Sequence, residues 1–231
     1  MLQLDRLTLT QGSFRLTADW SADPGDRIAV LGPSGGGKST LLSAIAGFLM
    51  PESGRIRWNG QDITAIPPGQ RPVSILFQDQ NLFPHLTVAR NLALGLSPGL
   101  RTAPGDAAQI DDVLARTGLT GLGDRRPATL SGGQQGRVAL ARALLRARPI
   151  LLLDEPFAAL GPALKSGMLA LLEQVATQTS ALTLLVTHDP ADARAFAPLT
   201  VLVADGIAHA PTPTAPLLDN PPPARAAYLG P

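Results

Sequence analysis

The stretch GPSGGGKST, at residues 32 to 40, constrains the fold of this chain more than any other part of its sequence. It fits the pattern G-x-x-x-x-G-K-[ST], with Gly32, Gly37, Lys38 and Ser39 in the required places. The apolar run RIAVL immediately before it predicts a buried strand, and STLLSAIAG at its end predicts a helix. A strand, a glycine-rich turn and a helix in this order are typical of a loop that binds phosphate groups.

Four glycines in six positions allow this loop to curl tightly and to aim its backbone N–H groups inward. The helix that follows, which Gly47 is expected to end, presents its positive end to the same point. We expect Lys38 to reach the β- and γ-phosphates of a bound nucleotide and Ser39 to bind Mg²⁺. The predicted phosphate-binding residues are Gly32, Pro33, Ser34, Gly35, Gly36, Gly37, Lys38, Ser39 and Thr40.

A second functional stretch, ILLLDEP, occupies residues 150 to 156. Its apolar start predicts a strand buried on both faces of a parallel sheet. Asp154, at the end of that strand, offers the oxygen ligands that a hard cation such as Mg²⁺ prefers. Glu155 follows and is expected to polarise an attacking water, since phosphoryl transfer needs mainly positioning and charge stabilisation. The alternative, two solvated carboxylates at a strand end, would be preferred if the phosphate loop were absent.

A third stretch, LSGGQQ at residues 130 to 135, has no use inside a single nucleotide site. Together with the phosphate loop and the ILLLDEP strand, it resembles the ATP-binding-cassette family, whose members dimerise around two ATP molecules. The resemblance implies that this stretch caps the ATP held by a second copy of the chain, with the positive end of the following helix aimed at the phosphate. The residues that would do so are Ser131, Gly132, Gly133 and Gln134.

The resemblance also implies roles for two residues at strand ends. Gln78, in ILFQDQ, matches the glutamine that contacts Mg²⁺ and the attacking water, and His188, in LLVTHD, matches the histidine that contacts the γ-phosphate. A lone glutamine or histidine at a strand end is usually structural, but the order and spacing of the other motifs support functional roles. The predicted catalytic residues are Glu155, His188, Gln78 and Lys38, and the predicted metal ligands are Ser39, Gln78 and Asp154.

The predicted fold is α/β, because strands and helices alternate in the second half of the chain. The resemblance implies a P-loop NTPase core of the RecA type, with an N-terminal antiparallel β layer and an inserted α-helical subdomain. Short alternating stretches in residues 1 to 20, and the strand RIRW before the turn Asn59-Gly60, predict the antiparallel layer. A second hairpin turn is predicted at Asp205-Gly206.

The expected domain organisation is simple. Residues 87 to 148 have a helical pattern, interrupted by GLSPGLRTAPGD, and are interpreted as a subdomain inserted into the core. We expect residues 1 to 210 to form a single nucleotide-binding domain. Beyond about His209 the chain is rich in proline, so residues 211 to 231 are expected to form a loosely ordered tail.

Composition and charge exclude several classes of protein. With a net charge of +1, the 231-residue chain has no bulk attraction to nucleic acid or anionic lipid, and without cysteine it has no disulfide or thiol chemistry. No signal peptide is evident, and no apolar run approaches the ~20 residues that span a bilayer. We therefore expect a soluble protein, which the resemblance implies is peripheral to the cytoplasmic face of the bacterial inner membrane.

The segment FQDQNLFPHLTVARNL, at residues 77 to 92, offers an apolar face through Phe83, Leu86 and Val88 next to Gln78. In importers of the family, this region takes a short coupling helix from a membrane subunit, a standard mode of recognition. The alternative is that these side chains only pack the subdomain. The expected partners are a second copy of the chain, permease subunits that dock near residues 78–92 and, indirectly, a periplasmic solute-binding protein, but no nucleic acid.

The resemblance covers about residues 1 to 210 and is greatest to the ATPase subunits of bacterial thiamine importers. It rests on PPGQRPVSILFQDQNLFPHLTVARNLALGLSPGL and on VADGIA. Because FPHLTV also occurs in importer ATPases for iron, molybdate, polyamines and sugars, those solutes remain alternatives. A cassette that works on nucleic acid is disfavoured by the nearly neutral charge. A non-hydrolysing clamp is disfavoured because Glu155 and His188 are both present.

Three positions depart from the usual pattern of the family. Gly161 replaces the aspartate of S-A-L-D, which predicts slower or less tightly coupled hydrolysis. Gly136, in the helix after LSGGQ, is expected to weaken that helix by roughly 0.5–1 kcal/mol relative to alanine. Residues 8 to 13 contain no aromatic side chain to stack on adenine, so Phe14 is the candidate.

Overall fold

The structure is a computed structural model that describes residues 1–77, 82–101, 103–158 and 160–221, so Gln78 lies outside it. Within these ranges the strands are β1 (Leu2–Gln11), β2 (Phe14–Ala22), β3 (Arg27–Leu31), β4 (Ser53–Trp58), β5 (Gln61–Asp62), β6 (Val73–Leu76), β7 (Ile150–Asp154), β8 (Leu182–Val186), β9 (Leu199–Ala204), β10 (Ile207–Ala208) and β11 (Thr212–Pro213). The helices are α1 (Lys38–Ala46), α2 (Val88–Leu96), α3 (Asp106–Arg116), α4 (Gly132–Leu145), α5 (Pro162–Thr179), α6 (Pro190–Phe196) and α7 (Thr214–Asp219).

The described strands form a sheet with the order β5-β4-β1-β2-β10-β9-β3-β8-β7-β6, and β11 pairs with β9. The pairs from β9 through β3, β8 and β7 to β6 are parallel. The pairs that β1 forms with β2 and β4, and the pair of β4 with β5, are antiparallel. The predicted α/β core with an N-terminal antiparallel layer is therefore confirmed.

The central parallel strands are apolar because both faces of the sheet are covered. Along β3, Ile28 and Val30 pack into one cluster with α1 and the β1–β2 layer. The alternate residues Ala29 and Leu31 pack into a second cluster with α4, α5 and α6. Successive side chains of a strand point to opposite faces, so a strand between two helical or sheet layers must be apolar throughout.

The register of the parallel strands gathers the predicted functional segments at one edge. Val186 of β8 pairs with Val30 of β3 on one side and with Asp154 of β7 on the other. The chain therefore leaves β3, β7 and β8 at the same level of the sheet. This is the edge at which α/β proteins bind ligands.

Both predicted hairpin turns are present. Asn59 and Gly60 have φ of 49° and 80°, and Asp205 and Gly206 have φ of 53° and 72°. Positive φ at both central residues matches the right-handed twist of the flanking strands. The first turn joins β4 to β5, and the second joins β9 to β10.

Three helices lie between β6 and β7 and form a core of their own. Buried residues of α2, α3 and one side of α4, with the turns between them, make a third cluster, while Ala139 and Leu140 of α4 pack into the second cluster against the sheet. The members of the third cluster are Val88, Leu92, Val113, Leu114, Leu119, Leu130, Val138 and Ala141. The helical pattern of residues 87 to 148 thus corresponds to elements that pack mainly on one another.

The expectation of a loosely ordered tail is wrong for residues 212–219. These residues form β11, which pairs with β9, and α7, which packs against α6 and β9. Thr214 and Thr200 share a buried hydrogen bond of 2.8 Å, and Arg194 pairs with Asp219 at 2.6 Å. The prolines end and begin these short elements instead of preventing them, because proline is tolerated at a sheet edge and in a first helical turn.

The helices formed by the described residues do not include one long and apolar enough to cross a membrane.

Candidate nucleotide site

The phosphate loop, residues 32–37, leaves β3 and curls back before α1 begins. Gly32, Gly35 and Gly37 have φ of 152°, 74° and 101°, which L side chains rarely adopt. A Cβ on Gly32 would also overlap the backbone carbonyl oxygen of Val203 in β9. Backbone angle and close approach therefore both require glycine at the start of the loop.

Lys38 lies buried at the first position of α1. Its Nζ donates hydrogen bonds of 2.9 Å to the carbonyl oxygens of Gly32 and Pro33. Burial lowers the pKa of Lys38 from its usual value, and the carboxylates of Glu155 and Asp154 oppose that shift. The ammonium group thus lies inside the loop, where a bound phosphate would compensate the burial of its charge.

Ser39 and Asp154 meet although 115 positions separate them in the chain. Ser39 Oγ donates to Asp154 Oδ1 at 3.1 Å. Burial raises the pKa of Asp154, the bond from Ser39 opposes the shift, and the Glu155 carboxylate adds to it. A hydroxyl and a carboxylate side by side are donors that suit Mg²⁺. Among the described residues, no group of three or more His, Cys, Asp or Glu could hold a metal.

Glu155 and His188 are in contact at the ends of β7 and β8. His188 Nδ1 lies 3.3 Å from Glu155 Oε2. Glu155 has a φ of 45°, a strained value for a non-glycine residue that often marks a functional site. The His188 side chain is 63 % exposed and that of Glu155 is 25 % exposed, so a bound group can reach the pair from solvent.

The LSGGQ segment begins α4 with a reciprocal cap. The Ser131 hydroxyl accepts a bond from the Gln134 N–H at 3.3 Å, and Gln134 Oε1 accepts one from the Ser131 N–H at 3.0 Å. Such a capping box satisfies two backbone donors of a helix start. A Cβ on buried Gly133 would lie 3.3 Å from Leu164, whereas one on Gly132 would meet no atom within 4 Å. Ser131 and Gly132 are exposed, so the helix start can meet another molecule.

A model of the family described as ABC transporter matches residues 17–158. That span contains the phosphate loop, the LSGGQ segment and the Asp154-Glu155 pair, and it exceeds half of the chain. The chain belongs to the ABC transporter family. As a member of that family it is a nucleotide-binding ATPase.

This ABC transporter ATPase is similar to curated proteins named Thiamine import ATP-binding protein ThiQ. It is 67 % identical to the one from Cereibacter sphaeroides over 231 residues, which cover 100 % of both chains. It is 54 % identical to the one from a Ruegeria species over 230 residues, which again cover 100 % of both chains. A solved dimer of a bacterial ABC transporter cassette is 28 % identical with a TM-score of 0.80, covering 93 % of this chain and 99 % of that one.

A related solved structure carries nucleotide. It is a dimeric ATP-binding cassette in a post-hydrolysis state, bound to ADP and Pi, and it is 27 % identical to the present ATPase. Its TM-score is 0.80, and the match covers 93 % of this chain and 99 % of that chain.

The predicted site residues of the ATPase fall into two groups. Lys38, Ser39, Asp154, Glu155 and His188 come together at one sheet edge. The LSGGQ segment instead begins α4, a helix that packs against α2, α3, α5 and β6. Gln78 lies outside the described residues, and its role stays a prediction.

Phe14, the predicted adenine-stacking residue, lies against the phosphate loop. A Cβ on Gly37 would come within 2.5 Å of Phe14 Cζ. The ring is also partly buried against the main core cluster, so its role toward adenine stays a prediction. On the same hairpin, Gln11 Oε1 accepts a bond of 3.3 Å from Thr40 Oγ1, a contact that sequence reasoning missed.

Gly161 and Gly136, two of the departures from the family pattern, lie at the start of α5 and within α4. Gly161 is the N-cap residue of α5, and no side chain caps this helix. A Cβ on Gly161 would meet no atom within 4 Å, so no steric reason for glycine exists there. Gly136 is buried within an unbroken α4, and its predicted weakening of that helix stays a prediction.

Arg71 is a fully buried cation that sequence reasoning missed. Its Nη1 donates to the carbonyl oxygens of Ala44 and Ile45, at 2.7 and 2.9 Å. Its Nε and Nη2 donate to the carbonyl oxygens of Ile66 and Thr64, at 2.7 and 2.6 Å. A cation at a helix C-terminus is stabilising, so Arg71 ties the end of α1 to the segment that precedes β6. No local pattern marks it, because its partners are backbone atoms.

Proposed function

We propose that this chain is the ATP-hydrolysing subunit of a bacterial importer that takes up thiamine, with its phosphate esters as a further expected substrate class. The observation that carries the proposal is the identity of 67 % over all 231 residues to a protein named for thiamine import. The match extends beyond the nucleotide motifs, since it covers the whole of both chains.

The proposed working unit is a dimer with two ATP molecules between its subunits. Two features support it: the similarity to a dimeric bacterial cassette, and the exposed start of α4. Each ATP would lie between the phosphate loop of one copy and residues 131–134 of the other. A helix N-terminus with exposed Ser131 and Gly132 presents N–H groups and a positive dipole end suited to a phosphate.

The side chains at the sheet edge would divide the hydrolysis between them. Lys38 would exchange its bonds to loop carbonyls for bonds to the β- and γ-phosphates. Glu155 would orient and polarise the attacking water, and His188 would donate to the γ-phosphate. Ser39 and Asp154, with Gln78, would hold Mg²⁺, which would neutralise charge on the phosphate oxygens. Positioning and charge stabilisation are the main needs of this reaction.

The proposed docking surface for a membrane permease is a groove between the core and the helical segment. The groove has a volume of about 620 Å³ and includes Phe77, Phe83, Leu94 and Arg142 in its wall. Phe83 in the wall of this groove is 45 % exposed, so a partner helix could bury it. The groove continues the predicted docking segment at residues 78–92, of which residues 82–92 are described.

The proposal also includes expectations about domain organisation, location and partners. Residues 1–210 would act as one nucleotide-binding domain, with residues 87–148 as the helical part that moves with the permease. The subunit would sit on the cytoplasmic face of the inner membrane and work indirectly with a periplasmic solute-binding protein. The net charge of +1 supports the expectation that nucleic acid is not a partner.

Uptake of labelled thiamine tests the proposal. Cells lacking the gene are complemented with the wild-type chain or with Glu155→Gln, and uptake is expected only with wild type. Labelled iron, molybdate and polyamine serve as controls, since they should enter equally in all strains. Normal thiamine uptake without the gene would overturn the substrate assignment but leave the ATPase assignment standing.

A further inference from the structure

Lys165 forms a partly buried double ion pair beside the nucleotide site. Its Nζ lies 2.8 Å from Asp189 Oδ2 and 2.8 Å from Asp192 Oδ1. The side chains of Lys165 and Asp192 are only 18 % and 11 % exposed. The only other lysine of the chain is Lys38, in the phosphate loop. Lys165 is therefore one of two lysines in the chain, and it lies partly buried with two carboxylates as its partners.

The two aspartates that Lys165 holds belong to the turn that carries His188. Thr187 Oγ1 donates to Asp192 Oδ2 at 2.8 Å and accepts from the Asp189 N–H at 3.1 Å. The turn from the end of β8 to the start of α6 is thus closed by hydrogen bonds on both sides of His188. The His188 side chain is mostly exposed, so its position depends on the backbone of this turn as well as on its contact with Glu155.

At its other end, Lys165 belongs to the first turn of α5. Its N–H donates to the Gly161 carbonyl oxygen at 3.0 Å. The preceding residue, Leu164, packs against Gly133 of the LSGGQ segment. The first turn of α5 therefore touches the start of α4 through Leu164 and the His188 turn through Lys165.

We propose that Lys165 is a positioning residue for His188, and that the first turn of α5 links the LSGGQ segment to the γ-phosphate side of the site. This inference rests on the proposed role of His188 in hydrolysis. Lys165 contacts neither Glu155 nor His188 side chains in the described hydrogen bonds, so it acts through the turn.

The electrostatic reason is direct. One ammonium group compensates two carboxylates that are both in its reach. Without it, Asp189 and Asp192 repel each other, and Asp192 remains largely buried without a cation. The turn then relaxes toward solvent, and His188 moves with it. A shift of about 1 Å in a positioned group can reduce a rate by up to about a hundredfold.

The first test compares Lys165→Met and Lys165→Arg in the assembled transporter. Lys165→Met is expected to lower kcat about tenfold with little change in KM for ATP, because the loss affects positioning and not ground-state binding. Lys165→Arg keeps the charge and is expected to restore most of kcat. Glu173→Gln is the matched control, since it removes the ion pair that the same helix makes with Arg27, and its kcat should match wild type.

A double-mutant cycle separates positioning from general weakening. In the His188→Ala background, Lys165→Met should cause no further loss of kcat, because the residue it positions is gone. If the losses of kcat in the two single variants multiply in the double variant, the proposal is overturned. An unchanged kcat for Lys165→Met would also overturn it. If Lys165→Met does not fold, Asp192→Asn replaces it in the cycle with the same expected outcomes.

The same cycle distinguishes this inference from the proposed function. If His188→Ala hydrolyses ATP as fast as wild type, then His188 has no role in hydrolysis, and the inference about Lys165 is overturned as well. Loss of hydrolysis in His188→Ala, combined with full activity of Lys165→Met, would overturn only the role of Lys165.

Discussion

The phosphate loop and the LSGGQ segment are both glycine-rich turns that begin a helix, but they differ in how the rest of the chain contacts them. The phosphate loop is held from within the chain: Lys38 is buried, Gly32 lies against β9 and Ser39 is bonded to Asp154. The LSGGQ segment is held by the capping box of Ser131 and Gln134 and by Leu164 of α5, which lies against Gly133, and its outer face is exposed.

The difference indicates which half of a nucleotide site the chain completes alone. Groups around the phosphate loop include a cation, a hydroxyl, two carboxylates and a histidine, which are the kinds of group that the proposed hydrolysis needs. The start of α4 supplies N–H groups, the Ser131 hydroxyl, the Gln134 amide and a helix dipole, which suit the capping of an anion held elsewhere. Mutations on the two sides should therefore separate chemistry from dimer formation.

The largest effect is expected on the phosphate side, from Glu155→Gln. The amide cannot act as a general base, so the ATPase rate should fall about a thousandfold, while ATP still binds. Phosphate release and nucleotide binding measure the two quantities. Glu52→Gln, a change at an exposed carboxylate of the antiparallel layer, should alter neither. Normal turnover in Glu155→Gln would remove Glu155 from its proposed role.

In the LSGGQ segment, Ser131→Arg should prevent dimer formation without weakening nucleotide binding. A long side chain at the exposed cap would fill the space that the partner's phosphates need. In the Glu155→Gln background, size-exclusion chromatography with ATP should show a dimer that Ser131→Arg abolishes, while ATP affinity changes less than about twofold. Ser21→Arg, on an exposed position of β2, is the control. A persisting dimer would contradict the division of roles.

The next largest effect is expected on the free energy of unfolding, from Arg71, which holds the end of α1. Arg71→Met removes four hydrogen bonds to carbonyl oxygens, two of them buried and two partly buried, so unfolding should become easier by about 3 kcal/mol. A loss of that size corresponds to a fall in Tm of about 10 °C for a domain of this length. Arg55→Met removes an arginine that is 60 % exposed, with Asp62 at 3.7 Å, and should shift Tm little. Equal shifts in both variants would show that Arg71 is not a special support.

The smallest expected effect comes from Gly161→Asp, at the start of α5. An aspartate there can cap α5 and adds about 0.3 kcal/mol to its stability. The ATPase rate is expected to rise about threefold, because the segment gains a carboxylate near the dimer partner. Gly167→Asp adds the same charge farther along α5, at a position with equal space, and should not raise the rate. The idea fails if Gly161→Asp leaves both basal and stimulated rates unchanged.

Local pattern was enough to predict much of this molecule. Glycine at positive φ marked the phosphate loop and both hairpin turns, and apolar runs marked the buried strands. Each of these signals depends on residues that are adjacent in sequence. The tail at residues 212–219 was misjudged because its order depends on pairing with β9 and on packing against α6.

The sequence by itself determined the phosphate loop, the acidic strand end and the LSGGQ cap, because backbone conformation and helix capping are set by neighbours in the chain. Only the tertiary structure decided the roles of Arg71 and Lys165. Arg71 bonds to carbonyl oxygens, and Lys165 reaches aspartates 24 and 27 positions away. Such partners carry no pattern in the sequence, and they exist only once the strands have placed α1, α5 and α6 side by side.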